Sequence, residues 1–437
     1  MQFKNLLKQS ILWRGLYFFS LLLVNVFLSR YLEASISGWL YYLSSILAFI
    51  QLIVGFSLEA GLTYFGSSQK VGYNRLFWFS VIWILVITII VCLTLFFYPG
   101  NFIKNDIVSH NKIFLYAVCY ILGQLMMIYG ANLFYAQGNF LAPNCIMFVL
   151  NISFVIIIPK SFLQIIYLPV KAILDIYFLL FVAQGLVMMF AFAIKNKSYK
   201  EVHFPSVVDF KKLFRYSALA LAANIIFFLV YRIDYWFVNN SPVSSPKDLG
   251  NYIQVSKLGQ ILWVIPQIIA SAVFPQVASG FDRKVVNNSV MILARLFAQV
   301  FIIILIVAIL FGNNIFIAVF GPTFNDMKTP FILLTPGIYF LSVLALLSAY
   351  FSGKGNVMIN VKGAFAALIF VFIADYFFVS IYGIYAAAVI STIGYGLNLA
   401  YALRQFYKDY HISMIDFFKW RRSDYAWLKN MLQTNKE

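Results

Sequence analysis

The chain has 437 residues, 62% of them hydrophobic and only 11% charged, with a mean hydropathy of +0.86 and a net charge of +17. So few charges do not cover the surface of a soluble domain of this size, which excludes an aqueous globular protein and leaves a multi-pass membrane protein. The basic residues are scattered over loops between apolar stretches, so a nucleic-acid surface is a poor explanation and the basic bias of cytoplasmic loops a better one.

The first apolar run, residues 11–29, is too long for the core of a signal peptide and lacks a small-x-small cleavage site, so it reads as the first span. Further runs, each long enough for a hydrocarbon core of about 30 Å, bring the expected spans to twelve. They lie at 10–30, 39–65, 75–98, 113–136, 142–159, 172–194, 213–238, 250–278, 289–311, 329–351, 357–379 and 383–407. With the N-terminus in the cytoplasm, twenty of the 32 Lys and Arg fall on the cytoplasmic side, seven on the outer side and five within spans. That bias places both termini inside. The expected organisation is a six-helix lobe over 1–200, a second over 201–407, and a basic cytoplasmic tail over 408–437. The tail mixes Ile415, Phe418, Tyr425, Leu428 and Leu432 with Lys419, Arg421, Arg422 and Lys429. It reads either as an interfacial helix on anionic headgroups or as a solvated tail.

The two halves resemble each other. Gly38-Trp39-Leu40-Tyr41 opens one apolar run and Gly250-Asn251-Tyr252-Ile253 another. Tyr135-Ala136-Gln137-Gly138-Asn139 is echoed by Tyr350-Phe351-Ser352-Gly353-Lys354-Gly355-Asn356, and Asn144 by Asn360. A repeat near half the chain length predicts two related halves, an arrangement that in membrane proteins puts a binding site between them. The charges do not repeat: 212 positions from Glu59 stands Ser271, and Arg232 and Lys257 correspond to Ser20 and Ser45.

Nothing in the sequence points to catalysis or to a cofactor. Cys92, Cys119 and Cys145 lie in apolar segments and read as buried thiols. His110, His203 and His411 are far apart, and no Cys/His spacing suits zinc or haem. Ser352-Gly353-Lys354-Gly355 lacks the frame of a phosphate loop. There is no Ser/His/Asp set and no pair of acids in a long extramembrane loop.

Nine ionisable residues fall inside spans: Arg14, Glu59, Asp175, Arg232, Asp234, Lys257, Arg295, Lys362 and Asp375. Each costs a few kcal/mol if left facing lipid, so each is expected to meet a cavity or a partner. Depth along the spans suggests an Arg14–Glu59 pair and an Asp234–Lys257 pair. Arg232, two residues from Asp234, then points to the opposite helix face and toward a cavity. Asp175 is expected to pair with Lys171, and Arg295 and Lys362 are close enough to the interface to snorkel. Asp375 reads equally as an outer-surface residue or an ion site. The candidate substrate contacts are Arg14, Arg232 and Lys257. Glu59 and Asp234 are candidates for ion coupling or for structural pairs. Pro266, Pro275, Pro330 and Pro336 interrupt helix ladders and mark either static kinks or bending points.

Several stretches resemble the bacterial polysaccharide-export flippases. They are Gly15 with Phe27-Leu28-Ser29-Arg30-Tyr31-Leu32 and Gly38-Trp39-Leu40, then Tyr231-Arg232-Ile233-Asp234 with Leu249-Gly250-Asn251-Tyr252. Phe274-Pro275-Gln276-Val277-Ala278-Ser279 and Tyr382-Gly383-Ile384-Tyr385-Ala386-Ala387-Ala388 complete the set. Glu33 departs from the pattern, since many relatives carry Gly there. The resemblance implies the fold of the multidrug/oligosaccharidyl-lipid/polysaccharide exporters: an all-α polytopic membrane protein with two six-helix lobes around a central cavity. It also implies a substrate, an undecaprenyl-pyrophosphate-linked oligosaccharide moved from the inner to the outer leaflet of the bacterial cytoplasmic membrane. The partners implied are the bilayer, this lipid-linked oligosaccharide, and a polysaccharide polymerase and glycosyltransferases acting before and after it. Two other readings stand beside it. A drug/cation antiporter of the same fold favours an acidic cavity, whereas here five in-span cations face four acids. A membrane polysaccharide polymerase normally carries a long outer loop, which this chain lacks.

Overall fold

The computed structural model describes residues 3–69, 71–97, 108–162, 168–198, 202, 206–278, 283–410, 414–419, 421 and 423–426. Among them run eleven α-helices: α1 (Phe3–Gly55), α2 (Leu58–Ser67), α3 (Tyr73–Phe97), α4 (His110–Ala136), α5 (Leu141–Phe162), α6 (Val170–Asn196), α7 (Val207–Asn239), α8 (Pro246–Ala278), α9 (Arg283–Phe320), α10 (Lys328–Gly353) and α11 (Val357–Tyr410). Ten helices are long and apolar enough to cross a membrane. Two of the ten, Leu12–Gly55 and Val357–Asp409, have 44 and 53 residues. About 20 residues suffice for one crossing at about 1.5 Å each, so each of these holds two of the twelve expected spans. The helical path is interrupted at Glu33 (φ 61°, ψ 175°) in α1 and at Gly383 (φ 58°, ψ −136°) in α11.

The structure corrects one expected boundary. The run 39–65 is not one helix, because the chain breaks at Phe56 and Ser57, both at positive φ. A break among spans leaves carbonyls that lipid cannot satisfy. Here Trp83 Nε1 donates to Val54 O at 3.1 Å and Tyr129 Oη donates to Gly55 O at 2.7 Å. The Phe56 ring stacks on Phe214 at 3.8 Å between centroids. Glu59 therefore sits in the first turn of a separate helix, α2.

The chain forms two compact units. The first comprises residues 1–32 and 40–225, the second 33–39 and 226–437, so the division falls inside α1 and α7. In the first unit, α4 and α6 carry the stacked pair Tyr116–Phe178, 4.3 Å between centroids. A buried chain of neutral polar groups ties α1, α5 and α6 together. Gln184 donates to Asn151 Oδ1 at 2.8 Å and Asn151 Nδ2 donates to Ser20 Oγ at 2.9 Å.

In the second unit, the two glycines of the sequence repeat meet. A Cβ on Gly38 would stand 2.6 Å from Gly250 N, and one on Gly250 would stand 1.9 Å from Ala34 O. Hydrogen bonds fix this crossing. Ala34 N donates to Thr323 Oγ1 at 3.1 Å, and Asn251 Nδ2 donates to Thr323 O at 3.2 Å. The other echo repeats in geometry as well. Gly138 (φ 70°) and Gly355 (φ 80°) each close a helix C-terminus. Gly138 N bonds Tyr135 O and Asn139 N bonds Phe134 O; Gly355 N bonds Ser352 O and Asn356 N bonds Phe351 O. These turns are the same αL-type cap built twice.

Gly250→Ala is expected to cost about 3 kcal/mol or more, because the new methyl overlaps backbone that cannot yield. Thermal unfolding of purified variants checks this, and a wild-type transition temperature contradicts the close packing. Glu33 occupies backbone space that costs a non-glycine residue about 1–3 kcal/mol. Glu33→Gly is accordingly expected to hold or raise the unfolding temperature.

Candidate functional site

In the first unit, Arg14 is held by aromatic rings. Its guanidinium lies 4.9 Å from the Tyr135 ring centroid and 5.1 Å from that of Phe140, and these two rings stack at 5.3 Å. Tyr135 Oη also shares a hydrogen bond with Asn144 Oδ1, and Asn144 Nδ2 donates to Phe140 O at 2.7 Å. The echo motif that marks the repeat thus builds a cation box. The expected Arg14–Glu59 pair does not form, because α2 starts a new helix and Arg14 finds this π-face instead. Glu59 stands at the start of α2, where the unpaired N–H groups of the helix end favour a carboxylate.

Asp175 also departs from expectation. Lys112 Nζ donates to it at 2.7 Å and Tyr116 Oη at 2.6 Å, so the partner is on α4 and not Lys171 one turn away. Arg295 does not snorkel. It is 3% exposed and makes two bonds of 2.7 Å to Asp424, itself fully buried, and a third of 2.6 Å to Asp416 O. The described part of the tail is therefore pinned to α9. It forms a 3-10 turn at Met414–Phe417 and one helical turn at 423–426. The remainder of the expected interfacial helix, Ser413, Trp420, Arg422 and residues 427–437, lies outside the described residues. Arg295 is thus neutralised by Asp424, and Lys362 is exposed.

The second unit holds the richest constellation. Asp234 on α7 is buried and accepts hydrogen bonds from Tyr252 Oη, from Ser391 Oγ at 3.2 Å and from Tyr235 N at 2.9 Å. The expected Asp234–Lys257 pair is replaced by these neutral donors from α8, α11 and α7. Lys257 instead lies within electrostatic reach of Arg232. Asp375 on α11 is fully buried, and neither carboxylate oxygen has a hydrogen-bond partner among the described residues. It lies within electrostatic reach of Asp234. Asp375 is not an outer-surface residue; it is half of a buried acid pair. Two carboxyls in one apolar interior are costly to keep as anions together, which makes them a candidate site for a cation.

Arg232 faces away from the acids, as its spacing on α7 requires. Its Nη2 donates to Gln260 Oε1 at 2.9 Å, and its guanidinium lies 5.4 Å from the Tyr235 ring centroid. It lines a cavity of about 340 Å³ with Phe228, Tyr231, Ser256, Gly259, Gln260, Trp263, Val264, Gln267, Leu334, Ile338, Leu341 and Tyr395. That volume is at the small end of small-molecule pockets. Ser391 and Tyr395, one turn apart on α11, touch the acid pair and the cavity respectively. Gln260, Trp263, Tyr395, Ser391 and Tyr252 were beyond the reach of the sequence, since neutral and aromatic residues are ordinary in spans. Asp424 had a signal, an acid among basic tail residues, which span counting passed over.

No protein-family model and no curated protein sequence matches the chain. Solved structures do match. The chain shares its all-helical fold with solved structures of a lipid flippase and of multidrug transporters, at low sequence identity. The lipid II flippase MurJ in an inward closed conformation aligns with a TM-score of 0.69 at 15% identity, over 93% of this chain and 89% of that one. An inward-facing multidrug resistance MATE transporter aligns with a TM-score of 0.65 at 13% identity, over 93% of each chain. The Vibrio cholerae MATE transporter VcmN in its bent form aligns with a TM-score of 0.61 at 14% identity, over 95% and 99%.

Asp424→Asn strips the buried Arg295 of its counter-charge and is expected to cost about 3–5 kcal/mol, read as a fall in the unfolding temperature in detergent. Asp375→Asn, which removes a buried carboxylate without a hydrogen-bond partner among the described residues, is expected to leave that temperature unchanged or raise it. A clear loss of stability in Asp375→Asn would reveal a partner for the carboxylate.

Proposed function

We propose that this chain is a flippase that moves an undecaprenyl-pyrophosphate-linked oligosaccharide from the inner to the outer leaflet of the bacterial cytoplasmic membrane by alternating access, for surface polysaccharide biosynthesis. Both termini are cytoplasmic in this reading, and the two lobes are the six-helix halves of the repeat. The observation that carries it is Arg232: a guanidinium on a cavity wall, salt-bridged to no carboxylate among the described residues, with Lys257 close by. A guanidinium on a cavity wall in a membrane-spanning unit attracts an anion, and arginine binds phosphate through paired N–H groups. Arg14 in its aromatic box supplies a further cation, in the first unit. The shared fold with a lipid II flippase supports the choice of an amphiphilic lipid-linked substrate.

The acid pair supplies the coupling. Asp234 and Asp375 take up a proton or a monovalent cation, and α7 and α11 link them to the cavity, because Arg232 and Asp234 share one helix and Tyr395 and Ser391 the other. The same pair favours a second reading, a drug/cation antiporter, which the fold shared with MATE transporters also supports. Drug resistance on expression without any polysaccharide phenotype would favour that reading.

Arg232→Ala is expected to abolish complementation of a polysaccharide-export defect while membrane insertion stays at the wild-type level. Normal surface polysaccharide in that variant sinks the assignment.

A further inference from the structure

The cavity of the second unit has two unlike walls. One is aromatic. Tyr231 lies 5.4 Å from Trp263 and 5.7 Å from Tyr395, centroid to centroid, with interplanar angles of 55° and 56°. The indole N–H of Trp263 is already spent on Leu341 O at 3.0 Å, so Trp263 offers ring surface and no donor. The other wall is a line of polar groups. Arg232 is braced by Gln260, whose Nε2 lies 3.5 Å from Ser256 Oγ, and exposed Gln267 stands on the same helix two turns on. A volume of about 340 Å³ admits a small ring and no chain of sugars.

The pieces select a ligand class. Tilted aromatic rings present electron-rich faces to the weakly positive C–H bonds of a saturated ring. Planar amides bridge vicinal hydroxyls: Gln267 carries one acceptor and two donors, and Gln260, engaged with Arg232 and Ser256, keeps one N–H. Arg232, held in place by Gln260, is set for a single oxyanion. A drug-like aromatic cation would meet Arg232 as a like charge, and an acyl chain would leave Arg232, Gln260 and Gln267 facing hydrocarbon. We infer that this cavity is a subsite for one pyranose ring carrying an oxyanion, with the ring against Tyr231, Trp263 and Tyr395 and the oxyanion at Arg232. The inference rests on the flippase reading and specifies it: one sugar of the transported glycan is read inside the second unit. The oxyanion is either a phosphate on the anomeric carbon, as in the sugar nearest the lipid carrier, or a carboxylate of an acidic sugar.

The test is ligand-observed saturation-transfer NMR on the full chain in nanodiscs, with glucose 1-phosphate, methyl glucuronide, methyl glucoside and inorganic pyrophosphate as probes. At least one oxyanion-bearing pyranose is expected to receive saturation at its ring C–H protons and to bind about tenfold or more tighter than methyl glucoside. Whichever of glucose 1-phosphate and methyl glucuronide binds tighter identifies the source of the oxyanion. Pyrophosphate is expected to compete weakly or not at all, because it has no ring to stack. Arg232→Gln is expected to erase the preference over methyl glucoside, and Trp263→Leu the ring-proton saturation. Gln267→Leu, at an exposed position that folding does not depend on, is expected to weaken binding about threefold or more, so the inference is tested even where Trp263→Leu fails to fold. Equal binding of the charged and neutral glycosides, or binding indifferent to Arg232→Gln and Gln267→Leu, overturns it. If Arg232→Ala stops export while no pyranose binds, the flippase reading stands and this subsite falls. If the probes bind and export survives Arg232→Ala, the flippase reading falls and the subsite stands.

Discussion

A charge inside a hydrocarbon layer costs several kcal/mol unless the protein answers it, and this molecule is organised by how each of its charges is answered. Arg295 is answered by the buried carboxylate of Asp424, which draws the start of the tail onto α9. Asp175 is answered by Lys112 and Tyr116, which joins α6 to α4. Arg14 is answered by the faces of Tyr135 and Phe140. What is left is the second unit, where Asp375 has no hydrogen-bond partner among the described residues and Arg232 bonds an amide and faces a ring, with Asp234 and Lys257 within electrostatic reach. A functional site emerges as the remainder, once structural pairing has taken its share.

That remainder is arranged along two helices. On α7, Tyr231 and Arg232 line the cavity while Asp234 turns to the acids; on α11, Tyr395 lines the cavity while Ser391 bonds Asp234. In the proposed coupling, protonation or cation binding at the acids would change the charge beside Ser391 and Tyr252. One helical turn of α11 separates Ser391 from Tyr395 on the cavity wall, so the proposed coupling needs no long path.

The internal repeat has a physical meaning beyond ancestry. Gly138 and Gly355 close their helices with the same bonds because the same left-handed turn is needed twice. Gly38 and Gly250 serve differently: the two copies of one motif lie against each other, and both need to lack a side chain for backbone to touch backbone. Glu33 sits at φ 61°, a region that favours glycine. The departure that stands out in the sequence is a position of real backbone strain.

By itself the sequence determined an all-helical membrane protein, the repeat and the short list of costly charges, because apolar length and charge are properties of composition along the chain. It set Arg232 and Asp234 on opposite faces of one helix, since a spacing of two residues on one helix is local. It did not determine the partners. Lys171, one turn away, and Lys257, at matching depth, were the expected partners of Asp175 and Asp234, yet Lys112, Tyr252 and Ser391 hold those places. Pairing across helices depends on rotation and register, which neutral packing residues set. Only the tertiary structure decided that Asp375 is buried beside Asp234, that Arg295 belongs to the tail, and that Trp263, Tyr231 and Tyr395 converge on Arg232. Each of these joins residues far apart in the chain, and the packing of apolar helix faces that brings them together is not written in any one span.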